Sequence, residues 1–314
     1  MNNDLDQGNG PHLYPTACII MSTYNSVKYV EAQVDSILAQ NNVGIRLWIR
    51  DDGSTDRTVD LLSDKYGHDH RVTISCGKNL GPAASFMAAL FSCNVVCDYY
   101  GFSDADDVWL PNKMEHSIGR LAELPGAEPA AVVTRLEVVD QELRPLGYTA
   151  VPEKGLSFRN ALIQTVASGN AMTMNRAAFD KLRSALPKFV VMHDAWVYLV
   201  ITAFGRFLYS DSPTLLYRQH ATNVIGTKHS WRRRMAQRIG RLLSPTDAYR
   251  RQAEEFYRLF GHYLDPQKDK DIRGYLDYRS TFLRRVQFAM RPSIIKQRNM
   301  ANLYMKLLIL LGKE

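Results

Sequence analysis

Cysteine is scarce: four residues in 314, none in a Cys-x-x-Cys pair. That argues against a zinc ribbon or a thioredoxin-like redox site, and so sparse a thiol content predicts a reducing compartment. Long apolar runs are missing too. The run at 307–311 is five residues long, far short of the about 20 that a spanning helix needs. Residues 1–15 are polar, with neither a basic start nor an apolar centre, so they predict a polar tail and no secretory signal. No Gly-x-Gly-x-x-Gly follows the first apolar run, and there is no Gly-x-x-x-x-Gly-Lys. Two common ways of cradling phosphate on backbone amides are therefore absent.

The rest is an ordinary globular composition, 46% hydrophobic and 23% charged. A chain this long buries roughly three quarters of its unfolded surface and needs no disulfide staples. The net charge of +7 is unevenly spread. Residues 1–227 hold 19 basic and 24 acidic side chains, whereas residues 228–314 hold 20 basic and 8 acidic. A mildly acidic body thus carries a strongly basic end, which suits an anionic membrane surface or nucleic acid.

Apolar runs begin at 17, 45, 71 and 99, a spacing of 26–28 residues. Helical patterns lie between them. Val27, Val30, Val34, Ile37 and Leu38 share one helix face; Leu61 and Leu62 anchor a second helix with Ser54 or Thr55 as cap; 83–93 forms a third. Strands alternating with helices at this period predict βαβ units and a mostly parallel sheet. Further on, 132–134, 136–139 and 171–174 read as strands, 190–204 as a buried helix, and 207–209 and 215–217 as short strands. From Trp231 the pattern is helical and basic, broken at Pro245 and Pro266.

In a doubly wound sheet, ligands bind beyond the carboxyl ends of the strands. Ser22-Thr23-Tyr24-Asn25 follows the first run, Asp51-Asp52-Gly53-Ser54-Thr55-Asp56 the second, and Asp104-Ala105-Asp106-Asp107 the fourth. All three clusters fall on the same edge. Bare carboxylates repel a diphosphate, so they must act through a divalent cation. Asp104 and Asp106, two apart after an extended segment, can face one side. Such hard oxygen ligands suit Mg²⁺ or Mn²⁺, which neutralises charge on a departing diphosphate. Either Asp cluster taken alone also reads as a turn or helix cap.

Thr23-Tyr24-Asn25, the 51–56 cluster, Asn79-Leu80-Gly81 and the stretch 102–111 (Phe-Ser-Asp-Ala-Asp-Asp-Val-Trp-Leu-Pro) together resemble family 2 glycosyltransferases. His193-Asp194-Ala195-Trp196 and Tyr217-Arg218-Gln219-His220, followed by Asn223 and Gly226, are similar to a bacterial subgroup. That subgroup builds O-antigen, capsule and related polysaccharides and includes many rhamnosyltransferases. The resemblance implies a GT-A fold, a nucleotide-diphosphate sugar donor and a divalent metal. By motif it places Thr23 and Asp52 at the nucleobase and ribose, with Tyr24 and Asn25 nearby. Asp104 falls beside ribose and metal, Asp106 is the main metal ligand, and His220 is a further ligand of metal or diphosphate. Asp194 stands at the catalytic base, although the family's usual Glu-Asp or Asp-Asp is here His193-Asp194, as in the subgroup. Arg218 either pairs with the diphosphate or braces a carboxylate. Trp109 and Trp196 read as core.

The expectation is an α/β protein with a polar tail over 1–15, a GT-A domain over 16–227 and a basic helical region over 228–314. Its expected activity is inverting, metal-dependent transfer of a hexose or deoxyhexose from a UDP- or dTDP-sugar to a saccharide acceptor carried on a lipid. The basic region would hold it, from the cytoplasm, on the inner face of the membrane, with the 307–311 run entering the interface. Three other readings are disfavoured. Against an inert GT-A-like scaffold stand Asp52, Asp106 and Asp194, all present. A nucleotidyltransferase needs a basic phosphate loop near the first run, where Lys28 is the only base. A nucleic-acid-binding protein needs a reading motif, which the basic end lacks.

Overall fold

The computed structural model describes residues 14–219, 247–290, 296, 297 and 299–312. Strands β1 (Thr16–Thr23), β2 (Gly44–Asp51), β3 (Val72–Cys76) and β4 (Tyr99–Ser103) alternate with helices α1 (Val30–Leu38), α2 (Thr58–Tyr66) and α3 (Pro82–Ser92). They pair in parallel in the order β3-β2-β1-β4. Residues 17–21 of β1 have no exposed surface, as expected of a central strand covered by helices on both faces. Thr23 lies opposite Asp51, and Met21 opposite Ser103, which sets the carboxyl ends of β1, β2 and β4 side by side.

The second half of the sheet is mixed. It contains β5 (Val108–Trp109), β6 (Ala130–Val139), β7 (Pro145–Tyr148), β8 (Met172–Asn175) and β9 (Arg206–Arg218), with α4 (Lys113–Ala122), α5 (Phe158–Ala161), α6 (Arg176–Arg183) and α7 (His193–Phe204) between them. The full order is β3-β2-β1-β4-β8-β6-β9-β5, with β7 on β6. β8 runs antiparallel to β4 and β6, β9 runs parallel to β6, and β5 closes antiparallel on β9.

Five elements differ from the sequence expectation. α1 starts at Val30 and leaves Val27 outside it, 39% exposed, and α2 starts at Thr58 after Arg57, so neither Ser54 nor Thr55 caps it. The strands expected at 132–134 and 136–139 are one strand, β6; those expected at 207–209 and 215–217 are one strand, β9. The polar interruptions, Arg135 in β6 and the stretch 210–213 in β9, meet at a register shift, where Arg135 pairs opposite Pro213. A bulge tolerates proline and polar residues that a regular ladder would not. The buried helix α7 starts at His193, not 190. The N–H groups of Lys188 and Val191 are taken by Glu255 and Gln252 instead of by helical turns. Those two partners lie on α8 (Ala248–Phe260), the first of four α-helices among the described C-terminal residues, followed by α9 (Pro266–Asp277), α10 (Phe282–Met290) and α11 (Asn299–Leu310). Phe256 and Phe260 of α8 pack edge-on and tilted against Trp196 of α7 at 6.1 and 6.3 Å, inside the same apolar cluster as the sheet. Trp109 and Trp196 are both buried, as read.

Candidate active site

Two loops at the ends of β1 and β2 are stitched to each other. Thr23 Oγ1 donates to Asp51 Oδ2 at 2.8 Å, and Ser54 supplies its N–H and hydroxyl to the same carboxylate. Asn25, held at φ 48°, accepts from Thr55 N–H through Oδ1 at 2.8 Å and donates its own N–H to Ser54 Oγ at 2.9 Å. Asp52 is the second tether. Its carboxylate takes Arg50 Nη1 at 2.5 Å and the N–H groups of Leu80 and Gly81 at 2.9 Å. Gly81 sits at φ 81° just before Pro82 opens α3, a backbone conformation that suits glycine. Asp51 and Asp52 are 1% and 2% exposed, so both shape this corner from beneath. Tyr24, 50% exposed, is the side chain of the group that stands clear of the wall.

The loop after β4 is fixed from two sides. Gln33 Nε2 donates to Ser103 Oγ at 2.6 Å, and that hydroxyl donates to Asp104 O at 2.8 Å. From β9, Arg218 N–H donates to Asp107 Oδ1 at 3.1 Å, while its guanidinium reaches Asp106 O at 2.8 Å and Gln141 O at 2.5 Å. These contacts tie the Arg218 side chain to the backbone of the acidic loop and of Gln141. Asn170 Nδ2 donates to Asp107 Oδ2 at 2.5 Å. Asp107 is fully buried between these donors, whereas Asp104 and Asp106 are half-buried.

The three carboxylates place one oxygen each within 4.8 Å of one another. The crowding is electrostatically costly. Asp104 is pushed up to about 7, first by burial and then by Asp106 and Asp194. Asp107 is pushed well above the carboxylate range by burial and by Asp106 and Asp104. Lys113, at the start of α4, lies buried beneath the loop. Its Nζ stands 4.6 Å from the Trp109 ring with no hydrogen-bond partner among the described residues, and burial lowers it to about 7 against the pull of Asp107. Three hard oxygen donors that repel one another fit a divalent cation, which would relieve the repulsion.

Asp194 reaches the same cluster from the first turn of α7. Burial pushes its carboxyl up to about 6, opposed by the N–H groups of Ala195 and Gly169. Ala195 N lies 2.6 Å from Asp194 Oδ1. The residue before it, His193, is held neutral by burial, down to about 3. Its ring stacks on Phe86 at 3.9 Å and tilts against Phe102 at 4.9 Å. A Cβ at residue 169 would overlap the His193 ring, so only glycine fits there. His193 therefore acts as packing that seats the start of α7.

The structure thus brings together Asp104, Asp106 and Asp194, with Thr23, Tyr24, Asn25 and Asp52 along the adjoining strand ends. His220, Asn223, Gly226 and the basic stretch from Trp231 lie outside the described residues. Asn170, Arg50 and Lys113 escaped the sequence reading. Asn170 sits in a single 3-10 turn, Gly169–Ala171, just before β8 and without motif neighbours, and Arg50 and Lys113 carry charge at positions where burial is unexpected.

Comparison with known proteins bears on the family and the fold. The family described as Glycosyl transferase family 2 matches residues 18–183. The dTDP-rhamnosyl transferase RfbG of Shigella flexneri is 26% identical over 236 residues, which is 68% of this chain and 75% of that protein. TarS 1-349 of S. aureus, solved in complex with UDP-GlcNAc, superposes with a TM-score of 0.55 at 15% identity, over 95% of this chain and 91% of that one. The mannosyltransferase PcManGT of Pyrobaculum calidifontis, solved with GDP-Man and Mn²⁺, gives 0.51 at 14% identity, over 96% and 88%. At these identities the two structures establish the fold, a GT-A arrangement.

Proposed function

This chain belongs to glycosyl transferase family 2, and we propose that it is an inverting, divalent-metal-dependent transferase of surface polysaccharide synthesis. It moves a hexose or deoxyhexose from a UDP- or dTDP-sugar to a saccharide acceptor carried on a lipid. The observation that carries the reading is the Asp104, Asp106 and Asp107 cluster at the end of β4, with Asp194 at the start of α7 near enough to help raise Asp104. The donor class is supported by RfbG, a dTDP-rhamnosyl transferase, and by the nucleotide sugars in the solved neighbours.

In this reading Asp106, with Asp104, would hold Mg²⁺ or Mn²⁺. When bound, the ion neutralises charge developing on the departing diphosphate. Thr23, Tyr24, Asn25 and Asp52 line the nucleoside end, where Tyr24 has the exposed surface to lie against a base. Asn170 and Arg218 hold the acidic loop still, so positioning is in place before substrate arrives. Asp194 takes the proton from the acceptor hydroxyl as its oxygen bonds to the anomeric carbon. The bond from that carbon to the diphosphate oxygen breaks on the opposite side, and the nucleoside diphosphate leaves with its electron pair. One in-line displacement inverts the configuration.

A donor screen tests this. UDP-, dTDP- and GDP-sugars are incubated with protein, Mn²⁺ or Mg²⁺ and a lipid-linked saccharide fraction, and nucleoside diphosphate release is recorded. Release from a UDP- or dTDP-sugar that requires metal and is lost in Asp106→Ala supports the reading. No release from any donor, or release indifferent to metal, overturns it.

A further inference from the structure

The last two described helices turn apolar side chains outward. On α11, Met300, Leu303, Leu307 and Leu311, just past the helix end, are 71, 64, 50 and 51% exposed. Spacings of three and four residues align them in one stripe. The other side of the helix is already used, since Met305, Leu308 and Ile309 are buried. The 307–311 run therefore does not enter an interface as a block: only its two end residues face out. On α10, Phe282, Leu283 and Met290 are 66, 65 and 75% exposed, while Phe288 stacks on Tyr278. Arg285 of α10 donates to Leu310 O, which sets Leu311 beside the start of α10. A monomer rarely leaves so many neighbouring large apolar side chains uncovered.

The setting of this patch is basic. Residues 278–314 contain eight Lys and Arg and one acidic residue, Glu314. Exposed apolar side chains in a segment this rich in cations, of which Arg279 and Arg284 also pair with Asp247 and Asp277, match a surface with an apolar interior beneath anionic groups. At twelve residues, α11 is about 18 Å long, and no helix among the described residues is long and apolar enough to cross a membrane. A helix of this kind lies in the plane of the interface. It is also tied to the reaction centre. Gln297, just before α11, accepts from Lys154 N–H, donates to Gly155 O, and gives its own N–H to Gln164 Oε1. The segment that begins at Gln164 continues to Asn170, the donor to Asp107.

We propose that α10 and α11 form a platform that seats the protein on an anionic lipid bilayer, with Met300, Leu303, Leu307 and Leu311 entering the acyl boundary and the surrounding Lys and Arg meeting lipid phosphates. This deepens the reading of a lipid-carried acceptor by naming the surface on which it is met, but its test needs no transfer. The full chain is floated with vesicles rich in phosphatidylglycerol and, separately, with phosphatidylcholine alone. Binding to the former should exceed binding to the latter by about tenfold or more and weaken at high salt. The double variant Leu303→Asp, Leu307→Asp should lose at least about tenfold in binding while keeping its melting temperature and nucleotide affinity. As a gain of signal that survives any folding defect in that variant, Leu307→Trp should add emission quenched by brominated acyl chains. Absence of vesicle binding, equal binding by the double variant, or no added quenching overturns the platform. So does a wild-type dimer, dissociated by the double variant, that ignores vesicles, because the stripe would then be a contact between copies. Vesicle binding without transfer in the donor screen would overturn the enzymatic reading and leave the platform standing.

Discussion

Replacing Asp194 by Asn separates chemistry from architecture. The amide keeps the shape of the side chain, and its oxygen can still accept from the Ala195 N–H, which now donates to Asp194 Oδ1. The cost in stability is therefore about 1 kcal/mol, the worth of a helix-start acceptor. Even that is offset, because the lost charge is one of those that raise Asp104. Donor affinity should hold or rise slightly for the same reason. What the amide cannot do is take a proton. A positioned general base is worth about 10²–10⁴-fold in turnover, or about 2.7–5.4 kcal/mol of barrier. The wild-type carboxyl is raised to about 6, so turnover should fall as pH drops through that value, and the variant's residual turnover should lack that limb. The assay is nucleoside diphosphate release on a true acceptor, with thermal melting and donor calorimetry on the same sample. Turnover within a few-fold of wild type would exclude Asp194 as the base. Loss of donor affinity, or a large drop in melting temperature, would show that its charge or its capping dominates.

Other outcomes are equally specific. Mn²⁺ at about 100 times its dissociation constant should stabilise the protein by about 2.7 kcal/mol, or about 5 °C for a chain this long; Asp106→Ala should show no such rise, and an equal rise in the variant removes Asp106 from the metal site. Asp104, Asp107 and Asp194 all carry folded-state values above those of an unfolded chain, so the folded state binds more protons. Their contribution to metal-free stability is therefore present at low pH and lost as pH rises from about 4 to about 7; denaturant melts across that range should show Asp104→Asn gaining on wild type as pH rises. Asn170→Ala leaves buried Asp107 with the Arg218 N–H as its remaining donor among the hydrogen bonds described here and should cost about 1–3 kcal/mol, with weaker Mn²⁺ binding by calorimetry; an unchanged melting temperature would show that the brace lies elsewhere.

Legibility in the sequence followed burial. β1, β2 and β4 were readable because strands covered on both faces write continuous apolar runs, and their strand-end polar clusters stood out against them. β6 and β9 were read as fragments because Arg135 and the 210–213 stretch interrupt the pattern, yet the interruptions are compatible once they meet at one bulge. α4 passed unread because its buried face includes Lys113 and Ser117 beside Met114, Ile118 and Leu121, so two of its five buried positions are polar. At the site, the acidic positions were legible as motifs, but the division of labour among them was not. Nothing in Asp51-Asp52 or Asp106-Asp107 says which carboxylate is buried. That depends largely on donors distant in sequence, among them Thr23, Leu80, Gly81, Asn170 and Arg218.

That division explains how a chain can hold three repelling carboxylates at one place. A buried charge is tolerated when hydrogen-bond donors satisfy it. Asp51, Asp52 and Asp107 have theirs, and each uses them to pull two or more chain segments together. Asp104 and Asp106 sit on the loop those tethers hold, half-exposed, and Asp194 faces them from a helix start whose N–H groups favour negative charge. The tethers prevent the loop from relaxing away from its own repulsion. Burial, and then Asp106 and Asp194, raise Asp104 to about 7 instead, and a bound cation would offset the repulsive part of that rise. Metal affinity and rigidity should therefore be coupled. Loosening the loop through Asn170 would lower the repulsion and the affinity together, whereas removing a carboxylate would lower the affinity and raise the metal-free stability. The opposite signs in stability distinguish a site strained by its scaffold from a merely acidic surface loop, in which neither substitution would move the melting temperature.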